Sequence, residues 1–203
     1  FLFLNFLNQL QNKYQFINTI QINLIFFTTA LKLALEKDRN EIFEYLLKLP
    51  DIKIGPKCFE KCEKLTKFEI PSTITSIGDH SFDGCVNLDE IIIPPSITSF
   101  GDYSFNKCKI LSYITIPPSV THIGKFSFYG CERLTKINLP STLTSIEDYL
   151  FEQCRSLYQV TIPSSITSIG YRSFCGCKNL IEISIPSSVT SIGKYAFSDC
   201  ICL

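Results

Sequence analysis

Seven cysteines recur at a constant interval of 23 residues, and this period constrains the fold more than any other feature of the chain. They are Cys62, Cys85, Cys108, Cys131, Cys154, Cys177 and Cys200. A phenylalanine column keeps the same interval from Phe59 to Phe197. A fixed period of roughly 20 to 50 residues indicates an array of stacked repeats. The sequence therefore predicts a β-rich repeat solenoid over residues 56–203, with six full units and a partial seventh.

Each unit contains the pattern of two short strands. In the copy from Phe174 to Ala196, Ile183 and Ile185 alternate with polar residues, as in a strand with one buried face. Pro186 ends that strand because proline has no N–H to donate to a ladder. The residues from Val189 to Ile192 are mostly β-branched and predict a second strand on the opposite wall.

The rest of the unit must return the chain to the first wall. Gly193 is expected to supply a bend with a positive φ angle. The segment from Lys194 to Cys200 is expected to form a short helical turn, with Phe197 and Cys200 three residues apart and facing inward.

These columns resemble the BspA-like class of leucine-rich repeats, whose pattern F-x-x-C-x-x-L-x-x-I-x-I-P-x-S-V-T-x-I-G-x-x-A-F matches from Phe59 to the end. Glu147 replaces the glycine, Leu150 replaces a small residue, and Phe100 replaces an isoleucine. The first two departures predict a locally altered bend near 147–150. The resemblance implies a curved solenoid used in adhesion or protein binding, in a family found on surfaces of bacteria and anaerobic protists.

Two segments precede the repeats. Residues 1–28 are rich in Phe, Leu, Ile, Asn and Gln with one charge, Lys13, and are interpreted as a degenerate helical segment or a mis-predicted piece of the gene model. Their apolar runs are too short for a membrane span. The chain has no methionine and stops three residues after Cys200, so it is expected to be a fragment of a longer protein.

Residues 29–55 are predicted to form a helix–turn–helix unit. Apolar residues from Ile42 to Leu47 have the spacing of one helix face, and Pro50 ends that helix. Thr29 to Ala34 and Glu41 to Leu47 resemble the two helices of an ankyrin repeat. The resemblance implies a small α-helical unit that ends an ankyrin array or caps the solenoid, as in protist relatives.

The composition argues against several functions. Lys and Arg number 19, as do Asp and Glu, whereas a nucleic-acid-binding surface normally shows a basic excess. His80 and His122 are the only histidines and are both expected to be solvated. No Gly-rich phosphate loop or paired-carboxylate motif is present. The sequence therefore predicts no enzyme, no catalytic residue, no cofactor and no nucleic-acid partner.

The cysteines permit three interpretations. The favoured one is a ladder of small buried thiols, each filling the same position in its coil. Disulfides between neighbouring coils are sterically possible. A metal site is disfavoured because no zinc-finger spacing emerges. The candidate ligands for such a site are Cys58, Cys62, Cys175, Cys177, Cys200 and Cys202.

The outward residues of the first strand vary while the inward columns stay constant. Exposed Tyr and Ile on a rigid sheet are good interface anchors. We therefore expect Ile92, Tyr113 and Tyr158 to contact a protein partner.

Three functional hypotheses follow from this pattern. The first is an intracellular protein–protein interaction scaffold, and the second is a cell-surface adhesin-type module that binds host or matrix protein. The third is the regulatory part of a larger enzyme. The ankyrin-like unit, the unpaired cysteines and the absence of an N-x-[S/T] sequence favour the cytoplasm over the cell surface.

Overall fold

A computed structural model describes residues 54–203, which form a solenoid of stacked coils. Each coil contributes short strands to two walls, and all strand pairing between coils is parallel. The predicted segment 1–28 and nearly all of the predicted 29–55 unit lie outside the described residues. Ile54 forms a parallel bridge with Ile77, so the solenoid already includes this residue.

The two walls contain eleven strands of two or three residues. The first wall consists of β1 (Lys67–Glu69), β3 (Glu90–Ile92), β6 (Lys136–Asn138), β8 (Gln159–Thr161) and β10 (Glu182–Ile183). The second wall consists of β2 (Ser76–Ile77), β4 (Ser99–Phe100), β5 (His122–Ile123), β7 (Ser145–Ile146), β9 (Ser168–Ile169) and β11 (Ser191–Ile192). Paired residues are one repeat apart, so each residue lies beside its equivalent in the neighbouring coil.

The core confirms the predicted inward columns, although Ile185 in the last coils is 41% exposed and lies beyond the end of β10. The phenylalanine rings from Phe59 to Phe197 form one continuous stack, with centroids 5.1–5.6 Å apart and interplanar angles of 2–19°. Buried leucine, isoleucine and cysteine columns surround it. Such offset aromatic pairs add to the free energy gained from burial alone.

The third side of each coil is a run of tight turns. Among residues 54–203 no helix occurs, and the predicted helical turn at 194–200 contains two residues in the left-handed region, Tyr195 (φ 62°) and Asp199 (φ 59°). Phe197 and Cys200 do pack against the core, as predicted. Backbone N–H groups of these turns donate alternately within the turn and to the next coil, as in Phe59 N to Ser81 O at 2.7 Å.

The prediction of a positive φ at Gly193 is wrong. The glycines with positive φ among the described residues are Gly84, Gly130 and Gly176, on the turn side. Gly193 is needed for a different reason: a Cβ there would lie 2.4 Å from Tyr171 N and 2.5 Å from Gly170 C. The glycines of this column lie where the backbones of consecutive coils approach too closely for a side chain.

Glu147 interrupts the second wall. It occupies the glycine column, and β5 and β7 belong to separate sheets on either side of it. Other members of the column donate a hydrogen bond to the previous coil, such as Gly170 N to Ile146 O at 2.7 Å. An ion pair crosses the interruption instead, between Lys125 Nζ and Asp148 Oδ2 at 2.9 Å. The altered bend predicted near 147–150 is therefore a local loss of strand pairing, because a Cβ at 147 keeps the coils apart.

The first wall is interrupted one coil earlier. On this wall, the coil between β3 and β6 contributes no strand. It forms only an isolated parallel bridge, from Tyr113 to Lys136, and does not pair with β3. The two interruptions lie in neighbouring coils, so the middle of the solenoid has fewer cross-coil strand pairs than its ends.

We expect Glu147→Gly to restore pairing between β5 and β7. The amide of residue 147 should then exchange more slowly with solvent in hydrogen-exchange measurements, because it can donate to Ile123 O. Gly170→Ala is the opposite change and should lower the free energy of unfolding by about 1–3 kcal/mol, as overpacking does, since its Cβ would lie 2.5 Å from Asp148 N. Wild-type exchange at residue 147 in the glycine variant would contradict this explanation.

Candidate functional site

The first wall presents two outward side chains per strand. In β1, β3 and β8 the middle residue is buried and the residues on either side are exposed, as the alternation of a strand requires. Cross-coil hydrogen bonds between backbones hold these columns in place. The outward positions are therefore a rigid surface whose residue types can vary without disturbing the core.

All three residues predicted for partner contact lie on this wall and are exposed. The exposed fractions are 51% for Ile92, 59% for Tyr113 and 45% for Tyr158. Ile92 and Tyr113 occupy consecutive coils and flank the interruption of the first wall. Tyr158 lies two coils beyond Tyr113, about 10 Å further along at the usual strand spacing.

A fourth apolar residue belongs to the same surface. Ile181 is 67% exposed and donates its backbone N–H to Tyr158 O, so it lies beside Tyr158 on the next coil. Ile181 and Tyr158 are one repeat apart and therefore belong to the same column. We define the apolar wall patch as Ile92, Tyr113, Tyr158 and Ile181.

Polar residues border the apolar wall patch. Lys67 Nζ and Glu90 Oε2 form an exposed cross-coil ion pair of 2.8 Å at one end. Thr115 Oγ1 donates to Tyr113 Oη at 3.1 Å, which limits the motion of that ring. Lys136 lies on the coil between Tyr113 and Tyr158, so the patch combines apolar anchors with polar residues both at its border and between the two tyrosines.

The turn side carries an aromatic ladder that the sequence analysis missed. His80, Tyr103, Phe126 and Tyr149 stack with centroids 4.2–4.6 Å apart and planes within 11°. These residues form one more column with the 23-residue period, and that period was the available signal. Since the rings cover one another's faces, the ladder mainly stiffens the turn side.

Both histidines were expected to be solvated. His122 is exposed on β5, as expected, whereas His80 is only partly exposed. The His80 side chain is half-buried, and its Nδ1 lies 2.8 Å from Asp83 Oδ2. Within residues 54–203, Glu60, His80 and Asp83 are the one group whose side chains lie close enough together to bind a metal ion.

The buried thiols form a hydrogen-bonded ladder. Six cysteines of the 23-residue column, from Cys85 to Cys200, donate to the carbonyl of a phenylalanine in the preceding coil, as in Cys85 Sγ to Phe59 O at 3.0 Å and Cys131 Sγ to Phe105 O at 3.3 Å. None of the ten cysteines, all of which lie within residues 54–203, forms a disulfide in this structure, which agrees with the packing interpretation. Burial raises the pKa of Cys131 to about 12 and that of Cys200 to about 11. The protonated, unreactive thiol is therefore the form that the core stabilises.

A shallow groove runs along β7, β9 and β11. Its lining includes Glu147 and Asp148, and both carboxylates already have partners. Glu147 accepts a hydrogen bond from Ser145 Oγ at 2.7 Å, while Asp148 contacts Lys125 Nζ and Tyr171 N.

None of the residues described in 54–203 belongs to a helix that could cross a membrane.

Comparison with protein-family models identifies repeats of one type. The model described as BspA type Leucine rich repeat region (6 copies) matches residues 52–180 and 101–203. Together these matches extend across all described residues. A search of curated proteins found no significant match.

Several crystal structures share the fold. The Leucine Rich Repeat protein of T. pallidum is 32% identical with a TM-score of 0.73, over 77% of this chain and 73% of that one. A leucine rich cell surface protein from Faecalibacterium prausnitzii A2-165 is 39% identical with a TM-score of 0.70, over 74% of this chain. A leucine-rich repeat protein from Eubacterium ventriosum ATCC 27560 is 33% identical with a TM-score of 0.53, over 66% of this chain. The chain spans 41% and 42% of the last two proteins.

The thiol ladder predicts a loss of stability at alkaline pH. Thiols of the unfolded chain ionise near pH 8.5, whereas burial raises the pKa of Cys131 in the folded chain to about 12. The stabilisation is complete below about pH 8, and it is lost as pH rises towards 12. A thiol buried as deeply as Cys131 should contribute a slope that approaches about 1.4 kcal/mol per pH unit above about pH 9.5. Urea unfolding between pH 8 and 10 measures this slope.

Cys131→Ala should reduce that slope by one thiol's share. Cys202→Ala removes an exposed thiol and is the matched control, which should keep the wild-type slope. Equal slopes in Cys131→Ala and wild type would show that the buried thiol does not cause the pH dependence.

Proposed function

The chain belongs to the BspA-type leucine-rich repeat family, and from this premise we propose that it is a non-enzymatic protein-binding scaffold. The observation that carries the proposal is the apolar wall patch. Its four large side chains are 45–67% exposed on a wall whose inward columns are nearly constant. Exposure of this kind costs hydration free energy, which a partner's apolar surface recovers on binding.

The patch has the composition of an interface centre. Tyrosine is enriched among the residues that dominate binding free energies, and such residues sit inside a polar rim. Tyr113 and Tyr158 provide two such anchors, and Ile92 and Ile181 lie on the coils next to them. Rigid strands present these residues with little loss of conformational entropy when a partner binds.

We expect the triple variant Ile92→Ser, Tyr113→Ser, Tyr158→Ser to bind its protein partner roughly 30-fold or more weakly. A single dominant interface residue contributes about 2 kcal/mol or more, which corresponds to that factor. The measurement is a binding titration with the partner that the full-length protein retains in its own cells. Unchanged affinity would defeat the proposed site.

The matched control is Tyr195→Ser with Ile201→Ser. These two residues are also apolar and exposed, but they lie outside the first wall.

Photo-crosslinking gives a second measurement, and it works before the partner has been identified. A crosslinker at position 113 or 158 should give a protein adduct in cells, and one at position 195 should not. Equal adducts at all three positions would count against the wall.

A cell-surface adhesin-type module is the second candidate. It is supported by the crystal structure described as a leucine rich cell surface protein, which is 39% identical to this chain. Thiol titration of natively isolated protein separates the two candidates. Ten free thiols would support an intracellular scaffold, and disulfides between coils would support the surface module.

A further inference from the structure

The turn side of the first described coils brings three metal-binding side chains together. Glu60 lies on one coil, and His80 and Asp83 lie on the next. One ligand atom from each lies within 4.8 Å of the other two, and all three residues are half-buried. In-register stacking produces this proximity, because Glu60 and Asp83 occupy the same column one repeat apart.

Neighbouring side chains hold two of the three groups in place. The His80 ring stacks on Tyr103, with centroids 4.5 Å apart and planes 5° apart. Asp83 Oδ1 accepts a 2.6 Å hydrogen bond from Asn106 Nδ2. Asn106 is only 6% exposed, and its Oδ1 has no hydrogen-bond partner. A buried amide that orients a carboxylate is the kind of second layer that surrounds metal ligands.

An equivalent position four repeats later holds a permanent cation. There the corresponding residues are Glu152, Arg172 and Cys175. The Arg172 guanidinium lies 2.8 Å from Glu152 Oε1 and 3.4 Å from Cys175 Sγ. In the first copy an imidazole replaces the guanidinium and a second carboxylate replaces the thiol. The first copy therefore has more negative charge and a nitrogen that can coordinate metal.

We propose that Glu60, His80 and Asp83 bind a divalent transition-metal ion of the zinc class. One imidazole nitrogen and two carboxylate oxygens are ligands that zinc accepts, and three protein ligands leave a position for water. Neighbouring ligands on one tetrahedral zinc lie about 3.3 Å apart, so the 2.8 Å hydrogen bond between His80 Nδ1 and Asp83 Oδ2 needs to open by about 0.5 Å to admit the ion. The ion takes the place of the proton shared by these two atoms, and that proton is released to solvent.

The proposed ion links two consecutive coils. Because it binds the folded chain and not the separated coils, it stabilises the start of the described solenoid by mass action. This role is independent of partner binding at the apolar wall patch. A metal-free ion pair between protonated His80 and Asp83 is the competing explanation.

The test is a zinc titration of the full chain at neutral pH, followed by NMR of the histidine rings. The chain has two histidines, so two sets of ring signals are sufficient to locate the ion. We expect the His80 signals to shift and saturate at one equivalent while the His122 signals stay in place. Zinc should also raise the thermal midpoint.

Variants make the assignment specific. His80→Gln and Glu60→Gln should each weaken zinc affinity at least tenfold, and Asn106→Ala should weaken it about 10–100-fold. His122→Gln and Glu152→Gln, the latter at the equivalent position four repeats later, are matched controls and should keep the wild-type affinity.

Two results would overturn the proposal. One is a His80 ring whose signals respond to pH and not to zinc, which would leave only the ion pair. The other is a zinc-induced thermal shift that is unchanged in His80→Gln, which would place the ion on thiols such as Cys200 and Cys202.

Discussion

In-register hydrogen bonding between consecutive coils is the constraint on which the rest of the structure depends. Backbone N–H groups on both walls and on the turn side donate to the neighbouring coil, as in Thr98 N to Thr75 O at 2.8 Å. A single coil cannot satisfy these groups alone, so stability is a sum over neighbouring coils. The same register places every residue beside its equivalents in the neighbouring coils, which explains why residue types recur as columns along the solenoid.

The register accounts for both the regularity and the irregularities of the core. Phenylalanine and cysteine recur because each must fit against a copy of itself, with rings stacked and thiols bonded to the preceding coil. Glycine recurs where backbones approach to within van der Waals contact, and Glu147 shows the result when that requirement is not met. One added side chain there coincides with the loss of pairing between β5 and β7, while the core columns continue through the same coil.

Surface chemistry follows from the same stacking. On the first wall, the register brings outward residues of neighbouring coils together, so that apolar and polar side chains share one surface. On the turn side, it places two carboxylates of one column next to a histidine of another. The proposed partner site and the proposed cation site therefore both consist of residues from regular columns in neighbouring coils, without a specialised loop.

The sequence by itself determined the period, the inward columns and the outward location of Ile92, Tyr113 and Tyr158, because each depends on spacing along the chain. Only the tertiary structure decided how coils approach one another. It replaced the positive φ expected at Gly193 with a close backbone contact, turned the altered bend at Glu147 into a break in a sheet, and brought His80 to Glu60 and Asp83. These features depend on distances between coils, and a periodic pattern specifies which residues are equivalent without specifying those distances.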